Sequence, residues 1–381
     1  MQPPRRESYD AVVIGGGVIG LASAWRAAER GLSVIVLERS RPAAGASGVA
    51  AGMLAPVTEA DFGEQPLLRL GLASRELWRG FAAELEERGG RPTHFRESGA
   101  LLVAADRDDA GELQRLHELQ RRLGLRSEWL SPRDCRGLEP GLSPRVAGGV
   151  LAHSDAQVDP EAVSRGLVAA IERAGGELVS DAEVAAVELA GERVAGVRTL
   201  EGTVVRGEQV VVAAGPWSSG LDPAGDGPPV RPVKGQILEL RSRRGMAGPI
   251  ERIVRGARCY LLARGDGRVV LGATVEEQGF DTALTAGGVR RLLEAAWELV
   301  PEVEELQLVR ARAGLRPGTP DNSPLVGPGA VEGLIWATGH YRNGVLLAPV
   351  TARAVAALLA GEPLPAELLP FSPSRFERVA A

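Results

Sequence analysis

The chain is poor in the residues that form disulfides and bind metals. It has two cysteines and four histidines in 381 residues. Cys135 and Cys259 are too few and too far apart for a disulfide framework or a zinc site, so we expect two inert thiols and a cytoplasmic protein. The histidines follow no spacing typical of metal ligands: His94, His117, His153 and His340. The sequence therefore predicts no metal centre.

Long apolar runs and basic tracts are missing as well. No run is long and apolar enough to cross a membrane. With a formal net charge of −5 and no basic tail or stripe, nothing in the composition indicates a general nucleic-acid binder. Arg5 and Arg6 precede an apolar stretch and could suggest an export signal. Asp10 follows them closely, however, and the apolar stretch forms part of the motif described next, so we expect neither export nor a membrane span.

The length and composition are typical of a globular protein with more than one domain. Hydrophobic residues make up 44% of the chain and charged residues 24%. A chain of 381 residues exceeds what one compact core usually holds, which favours two domains. There is no internal repeat and no low-complexity tract.

A glycine motif, GGGVIG at residues 15–20, is the most informative feature that is present. An apolar run at 11–14 leads into it, and a helical pattern at 21–29 follows. A second apolar run at 34–37 ends on Glu38. This order of strand, glycine turn, helix, strand and acid is the βαβ fingerprint of dinucleotide binding, in its proper context.

Each conspicuous residue of the motif has a physical role. Gly15 permits the tight turn, Gly17 lets the backbone approach a pyrophosphate, and Gly20 lets the helix pack close to the strand. The helix N-terminus presents free N–H groups to the phosphates. The Glu38 carboxylate can accept hydrogen bonds from ribose hydroxyls. The sequence therefore predicts binding of an adenine dinucleotide.

Two further segments have the composition expected beside a flat ligand. Residues 43–54 are rich in glycine and alanine and nearly uncharged, which favours a buried position at the cofactor over a flexible surface loop. Residues 210–218 form a buried strand that ends in a glycine turn. That strand could bring Gly215 to the nucleotide, or it could be an ordinary core strand.

Hydrophobic periodicity and turn signals predict the remaining elements. We expect helices at 66–88, 108–124, 158–175, 285–300 and 345–359. We expect strands at 99–104, 177–187, 192–199, 236–240, 259–263, 268–272, 306–312 and 334–337, with a Pro/Gly-rich break at 222–232.

The turn at 338–344 is the second strong signal, because it opens a long apolar helix. A helix N-terminus stabilises negative charge. A flavin gains negative charge at its pyrimidine edge on reduction, whereas a nicotinamide needs no such partner. The turn therefore favours FAD as the dinucleotide.

Taken together, these motifs resemble the thiamine-biosynthesis type of glycine oxidase, within the D-amino acid oxidase superfamily of FAD enzymes. The resemblance spans essentially the whole length. It is carried by VVIGGGVIG at 12–20, AAGML at 50–54, CYLLAR at 259–264, GLRPGTPD at 314–321 and GHYRNGVLLAP at 339–349.

The resemblance implies an α/β fold, in which a Rossmann-like FAD-binding domain is interleaved with an antiparallel-sheet α+β substrate domain. The FAD-binding domain would comprise residues 8–90, 150–225 and 310–370. The substrate-binding domain would comprise residues 91–149 and 226–309.

The resemblance also assigns a substrate site. Arg316 matches the arginine that holds the substrate carboxylate; a planar guanidinium suits that role, although a surface arginine is the alternative. Tyr260 supports the carboxylate or packs into the core. Arg342 binds substrate, lies near the flavin edge or is a solvated loop charge. Met53 and Val275 would line the cavity.

Two positions depart from the family pattern and leave the pocket size and substrate range open. Val275 stands where well-known members carry a larger side chain, and Arg258 stands where they can carry a histidine. FAD would be non-covalent, because residues 312–321 contain no cysteine. It would contact Gly15, Gly17, Val18, Ile19, Gly20, Glu38, Arg39, Ala46, Ser47, Ala51, Gly52, Met53, Val184, Gly215, Gly339, His340, Tyr341, Arg342, Asn343, Gly344 and Val345.

The implied reaction is FAD-dependent oxidation of glycine and other small amines or D-amino acids, with oxygen as acceptor. The products would be imino or keto acid, ammonia and hydrogen peroxide, and the imine would supply thiamine thiazole synthesis. No catalytic side chain is required beyond the flavin, and a homo-oligomer is expected. Alternatives are a D-amino acid or sarcosine oxidase or dehydrogenase with another electron acceptor, a nicotinamide-dependent dehydrogenase, and a non-enzymatic role or flavin-dependent RNA modification.

Overall fold

A computed structural model describes residues 4–225, 227–243 and 248–376. Residue 226, in the predicted Pro/Gly break, and residues 244–247 fall within the predicted substrate domain and lie outside the described residues. In chain order the α-helices are α1 (Val18–Glu29), α2 (Ala46–Val49), α3 (Gln65–Gly89), α4 (Arg107–Arg122), α5 (Pro132–Leu138), α6 (Pro160–Arg173), α7 (Ala286–Leu299) and α8 (Gly344–Leu359).

The strands alternate with these helices. They are β1 (Ser8–Ile14), β2 (Val34–Leu37), β3 (Met53–Leu54), β4 (Ala100–Ala104), β5 (Ser127–Leu130), β6 (Gly148–Ala152), β7 (Ala156–Gln157), β8 (Glu177–Val179), β9 (Val184–Ala190), β10 (Arg193–Thr199), β11 (Val204–Val212), β12 (Arg231–Arg241), β13 (Ile253–Arg255), β14 (Tyr260–Ala263), β15 (Arg268–Gly272), β16 (Gln307–Gly318), β17 (Leu325–Pro328) and β18 (Leu334–Thr338). Short 3₁₀ helices span Gly215–Leu221, Pro301–Glu305, Ala366–Phe371 and Pro373–Phe376.

The first sheet is the dinucleotide-binding sheet that the N-terminal motif predicts. Its order is β17-β18-β11-β1-β2-β8, with β10 and β9 attached beside β11. Strand β1 pairs in parallel with both β2 and β11, so the carboxyl ends of these strands meet at one edge. One buried face packs against α1, α3, α6 and α8. The opposite face packs against apolar residues of β9 and β10.

The second sheet is largely antiparallel and has the order β16-β12-β15-β14-β13-β4-β6-β5. Helix α7 packs on one of its faces through Leu292, Ala295, Ala296 and Leu299. The α/β class and the combination of a parallel and an antiparallel sheet agree with the prediction from sequence. The domain division itself stays a prediction. Its boundaries at 149/150 and 309/310 cut through β6 and β16, which both pair within the second sheet.

Two predicted strands differ from the structure. The run at 177–187 is not one strand, because the chain turns at Asp181, where φ is +55°. Its first part is β8 in the first sheet and its second part is β9 in the antiparallel extension. The strand predicted at 306–312 continues to Gly318, because β12 offers pairing partners over its whole length.

Candidate functional site

A cavity of about 950 Å³ lies between the two sheets. One wall comes from the carboxyl ends of β1, β2, β11 and β18 and from the start of α8. The other wall comes from β12, β14 and β16 of the second sheet, and residues 43–53 contribute a third side. An elongated cavity at the switch point of a parallel sheet is where dinucleotides bind in such folds.

The glycines of the motif are held by close backbone contacts. Gly15 has φ +108°, and a Cβ there would lie 2.5 Å from the Ala213 carbonyl oxygen on the neighbouring strand. A Cβ on Gly20 would overlap the Gly15 carbonyl oxygen. Gly20 therefore acts in packing and does not line the cavity, whereas Gly15 and Gly17 do. Side chains at Gly15 and Gly20 would collide with neighbouring backbone atoms, so the turn requires glycine at both positions.

The acid of the motif lies beside the glycine turn. The Glu38 carboxylate accepts from the Gly16 N–H at 2.7 Å and from the Ser40 N–H at 3.0 Å. The guanidinium of Arg39 lies 3.4 Å from the ring centroid of Trp217. Val184 lines the same end of the cavity. An anionic group and an aromatic face thus lie together where the ribose and adenine of a dinucleotide would bind.

The N-terminus of α1 is capped from the small-residue segment. Ser47 Oγ accepts from the Val18 N–H at 2.9 Å. A cluster of N–H groups at a helix N-terminus, free of any acidic side chain in its first turn, suits a pyrophosphate. The residues present therefore fit FAD along the length of the cavity.

Arg316 defines the opposite end of the cavity. Its Nη1 donates to the Thr274 carbonyl oxygen at 3.1 Å and reaches the Lys234 carbonyl oxygen at 3.4 Å. Its guanidinium packs over Gly235, where a Cβ would overlap it. Among the described residues, no carboxylate lies within ion-pair distance of this guanidinium. Arg316 is thus a half-buried cation with backbone acceptors on one side and the cavity on the other.

Tyr260 lies on the adjoining surface of the cavity. Its ring covers Gly272, and a Cβ at that glycine would overlap the ring. Burial raises the pKa of Tyr260 to about 12, against the opposing effect of the Arg316 charge. The phenol therefore stays protonated and can donate a hydrogen bond. A planar cation and a hydroxyl donor together can bind a carboxylate.

Two charged residues at this end carry no sequence signal and were not predicted. Glu59 and Arg255 both line the cavity and form an ion pair at 3.2 Å. Arg255 also donates to the Thr58 carbonyl oxygen at 3.1 Å. Buried Asp155 fixes this loop by accepting from the Thr58 N–H at 2.9 Å. Glu59 and Arg255 are 196 residues apart in sequence, so only the fold brings them together.

The turn before α8 combines a strained backbone with a buried histidine. Gly339 and Tyr341 have φ of +70° and +47°. His340 Nε2 lies 2.9 Å from Thr351 Oγ1, and burial lowers the pKa of His340 to about 3. The imidazole is therefore neutral, and the N-terminus of α8 is the source of positive potential at this wall. Arg342 is exposed at the rim.

The cavity brings together most of the residues predicted from sequence. Arg316, Tyr260, Arg342, Met53 and Val275 line it, as do all predicted cofactor contacts except Gly20, Gly339 and Asn343. Exposed Arg258 lines it too and pairs with Glu298 on α7. The lining residues that sequence reasoning missed include Glu59, Gly235, Arg255, Phe280 and Thr282. None of these belongs to a local motif.

The described residues contain no group of three or more side chains able to hold a metal ion. Within the same ranges, no helix is long and apolar enough to cross a membrane.

Comparison with known proteins places this geometry in a family. A family profile described as DAO, FAD dependent oxidoreductase, matches residues 10–358. The bifunctional protein ThiO/ThiG of Trichormus variabilis is 36% identical over 374 residues, which cover 98% of this chain and 56% of that protein. This chain spans about half the length of the three bifunctional relatives of this name.

Two comparisons cover both proteins almost completely. The glycine oxidase of Geobacillus kaustophilus is 34% identical over 370 residues, which cover 96% of this chain and 97% of that protein. The crystal structure of glycine oxidase from Geobacillus kaustophilus superposes with a TM-score of 0.91 at 33% identity, covering 98% of this chain and 100% of that chain.

Proposed function

This chain belongs to the DAO family of FAD-dependent oxidoreductases, and from that premise we propose that it oxidises the amine of glycine and other small amino acids. A nicotinamide-dependent dehydrogenase is excluded by the family. The similarity to proteins named glycine oxidase over nearly the full chain supports the choice of substrate class.

One observation carries the proposal: Arg316 faces the cavity beside the protonated hydroxyl of Tyr260, and none of the described carboxylates pairs with it. A bidentate carboxylate satisfies both donors. An amino acid held in this way places its α-carbon and amine further along the cavity, between Met53 and the turn before α8. The substrate would therefore be a small molecule with a carboxylate next to its amine.

The cavity walls supply orientation and little acid–base chemistry. Bound FAD would accept the hydride from the α-carbon and return the electrons to oxygen, giving hydrogen peroxide. The amine must be neutral when that bond breaks, and apolar residues such as Met53, Ala51 and Ile237 disfavour its charged form by desolvation. His340 is neutral and engaged with Thr351, so it does not act as the base.

The proposal extends to the pathway, the location and the assembly of the protein. That the imine supplies thiamine thiazole synthesis is favoured by the relatives named ThiO/ThiG. A cytoplasmic location is favoured by two buried, unpaired cysteine thiols, Cys135 and Cys259. Assembly into a homo-oligomer stays a prediction from the resemblance.

A substrate panel tests the activity. Purified yellow protein is assayed with glycine, sarcosine, D-alanine and D-proline, and both peroxide and imine-derived ammonia are measured. We expect peroxide with glycine. Turnover only with an artificial electron acceptor would replace the oxidase by a dehydrogenase, and a marked preference for D-alanine or sarcosine would reassign the substrate.

The substitution Arg316→Leu tests the carboxylate site. We expect turnover to be lost while the protein stays yellow, because removing one partner of a buried, charged hydrogen bond costs roughly 2–5 kcal/mol. Arg115→Leu on exposed α4 is the matched control and should keep wild-type turnover. Activity that survives in Arg316→Leu would show that the carboxylate binds elsewhere.

A further inference from the structure

Lys234 is the only lysine in the chain; every other basic side chain counted with it is an arginine. It lies on β12 and is 1% exposed. Its Nζ donates to Asp281 Oδ2 at 2.8 Å, and the Asp281 side chain is half exposed. This hydrogen bond holds the pKa of the Asp281 carboxyl below its usual value. A buried ammonium is thus directed at one acid on an exposed loop.

The loop that carries Asp281 is an exposed strap, defined here as residues 275–284. It connects β15 to α7. Three attachments come from the same face of β12. The backbones of Lys234 and Glu276 exchange two hydrogen bonds, at 2.9 and 3.0 Å. The buried Gln236 amide bonds to Glu276 Oε1 at 2.8 Å and to Thr285 Oγ1 at 3.0 Å, at the two ends of the strap.

In the part of the chain that the structure describes, two charged residues of β12 contact the strap between its ends: Arg231 pairs with Glu277 at 3.5 Å near the start, and Lys234 binds Asp281 at the middle. Asp281 lies about midway between the two points that Gln236 fixes. The apolar side chains of the strap, Val275 and Phe280, remain exposed. The strap therefore has anchored ends, and its centre is held by one charged hydrogen bond and by the contact between Phe280 and Trp217.

The other side of the strap faces the cavity, with Val275 next to the carboxylate end and Phe280 towards the nucleotide end. Val275, Phe280 and Thr282 line the cavity. Thr274, the residue before the strap, presents the carbonyl oxygen that accepts from Arg316 Nη1. Phe280 lies against Trp217, with ring centroids 5.3 Å apart, at the nucleotide side. Movement of the strap would thus change a wall of the pocket that adjoins the carboxylate-binding arginine.

We propose that Lys234 is a positioning residue for substrate binding, which acts through Asp281 to hold the strap over the cavity. It does not touch the substrate. It keeps the middle of the strap, with Phe280 and Thr282, against the cavity. This wall adjoins the Lys234 and Thr274 carbonyl oxygens that accept from Arg316. An ammonium suits this buried position better than a guanidinium, whose five donors would all need acceptors there. The identity of the ligand rests on the proposed function.

The single lysine gives a direct test. Holoenzyme that carries no lysine-containing tag is treated with an amine-reactive acetylating reagent. Mass spectrometry measures the rate at which Lys234 is acetylated, and the chain's α-amine serves as internal control. We expect slow labelling of Lys234 in the wild type. Asp281→Ala should accelerate it roughly tenfold or more, because it removes a charge-assisted hydrogen bond that keeps the strap closed. Equal rates in both proteins would overturn the proposal.

In the same experiment, acetate tests whether binding of a carboxylate at Arg316 affects the strap. It carries a carboxylate but no amine to oxidise, so labelling can be followed without turnover. We expect acetate to slow the labelling of Lys234 in the wild type and to have no effect in Arg316→Leu. If acetate protects Lys234 but no amine is oxidised, the strap proposal stands and the proposed function fails. If glycine is oxidised but acetate does not change the labelling of Lys234, the proposed function stands and the strap proposal fails.

Steady-state kinetics separate positioning from a purely structural role. Lys234→Met should raise the KM for glycine roughly fivefold or more, with kcat within about twofold and FAD retained, because only ground-state orientation is lost. Lys234→Arg, which keeps the charge, should have a KM for glycine between those of the wild type and Lys234→Met. Arg290→Met, which removes an exposed ion pair on α7, is the control and should leave both constants unchanged. A lower melting temperature with unchanged KM would overturn the proposal.

Discussion

Two glycines in the second sheet make room for the side chains that face the carboxylate end of the cavity. Gly235 lies under the guanidinium of Arg316, and Gly272 lies under the ring of Tyr260. Both glycines are on neighbouring antiparallel strands, β12 and β15. Gly235 and Gly272 therefore leave the space that the side chains of Arg316 and Tyr260 occupy.

The substitution Gly235→Ala tests this arrangement. The added methyl group would overlap the Arg316 guanidinium, which must move away from its backbone acceptors. We expect the KM for glycine to rise roughly tenfold, the effect of about 1.4 kcal/mol, while FAD remains bound.

Gly80→Ala is the matched control, because a Cβ at that exposed position of α3 meets no atom within 4 Å. It should leave the KM unchanged and stabilise the helix by roughly 0.5–1 kcal/mol. An unchanged KM in Gly235→Ala would mean that the position of Arg316 does not govern substrate binding.

At the scale of elements, the N-terminus of α1 depends on a residue from another segment. Gly17 precedes the helix and offers no side-chain cap, so Ser47 supplies the acceptor for the Val18 N–H. The segment at 43–54, predicted as a loop beside the cofactor, contains the short helix α2 and strand β3. Its fixed conformation couples the capping of α1 to the wall of the cavity.

The substitution Ser47→Ala should weaken both properties. We expect a loss of about 1 kcal/mol in the free energy of unfolding, which is typical of a removed N-cap acceptor. We also expect the Kd for FAD, measured by titration of apoprotein, to rise roughly fivefold, because the N–H groups at the helix start are less well ordered.

Ser131→Ala separates the two effects. Ser131 caps α5 by accepting from the Asp134 N–H at 3.3 Å, and it does not line the cavity. Its loss should lower stability by a similar amount without changing the Kd for FAD. A change in that Kd for both variants would show that stability alone accounts for it.

At the scale of the whole molecule, two arginines of the second sheet hold the segments that pack on the first. Arg264 is buried and donates to the Val158 carbonyl oxygen at 2.7 Å and to the Ala51 carbonyl oxygen. Arg312 donates to the Gly48 carbonyl oxygen and to Glu161 on α6. These contacts fix the small-residue segment between the two sheets, and with it the width of the cavity.

The substitution Arg264→Met tests this role. Two buried carbonyl groups lose their donor, and each unsatisfied group costs roughly 1–3 kcal/mol. We expect a lower melting temperature of the holoenzyme and easier release of FAD on heating.

Arg353→Met is the control, because Arg353 pairs with Glu367 on the surface, where an ion pair contributes at most about 1 kcal/mol. Its melting temperature should stay close to that of the wild type. If Arg264→Met melts like Arg353→Met, Arg264 does not help to hold the two sheets together.

Local sequence was sufficient for the nucleotide end of the site. The glycines at 15–20 and Glu38 report on a turn, a helix start and a strand end that lie within 30 residues of one another. The same holds for the turn before α8. Backbone steric constraints and helix periodicity act over such short distances. The pattern of residues therefore determined these turns, helix starts and strand ends directly.

The substrate end depended on the tertiary structure. Glu59 and Arg255, or Lys234 and Asp281, share no local pattern, and pairing of distant strands decides that they meet. Pairing with β12 also extended β16 through Arg316 to Gly318, where the turn signals of the sequence favoured an earlier end. The sequence by itself thus determined which cofactor family the chain binds, because backbone sterics are local. Only the tertiary structure decided what surrounds the substrate, because that environment is built from contacts between strands far apart in the chain.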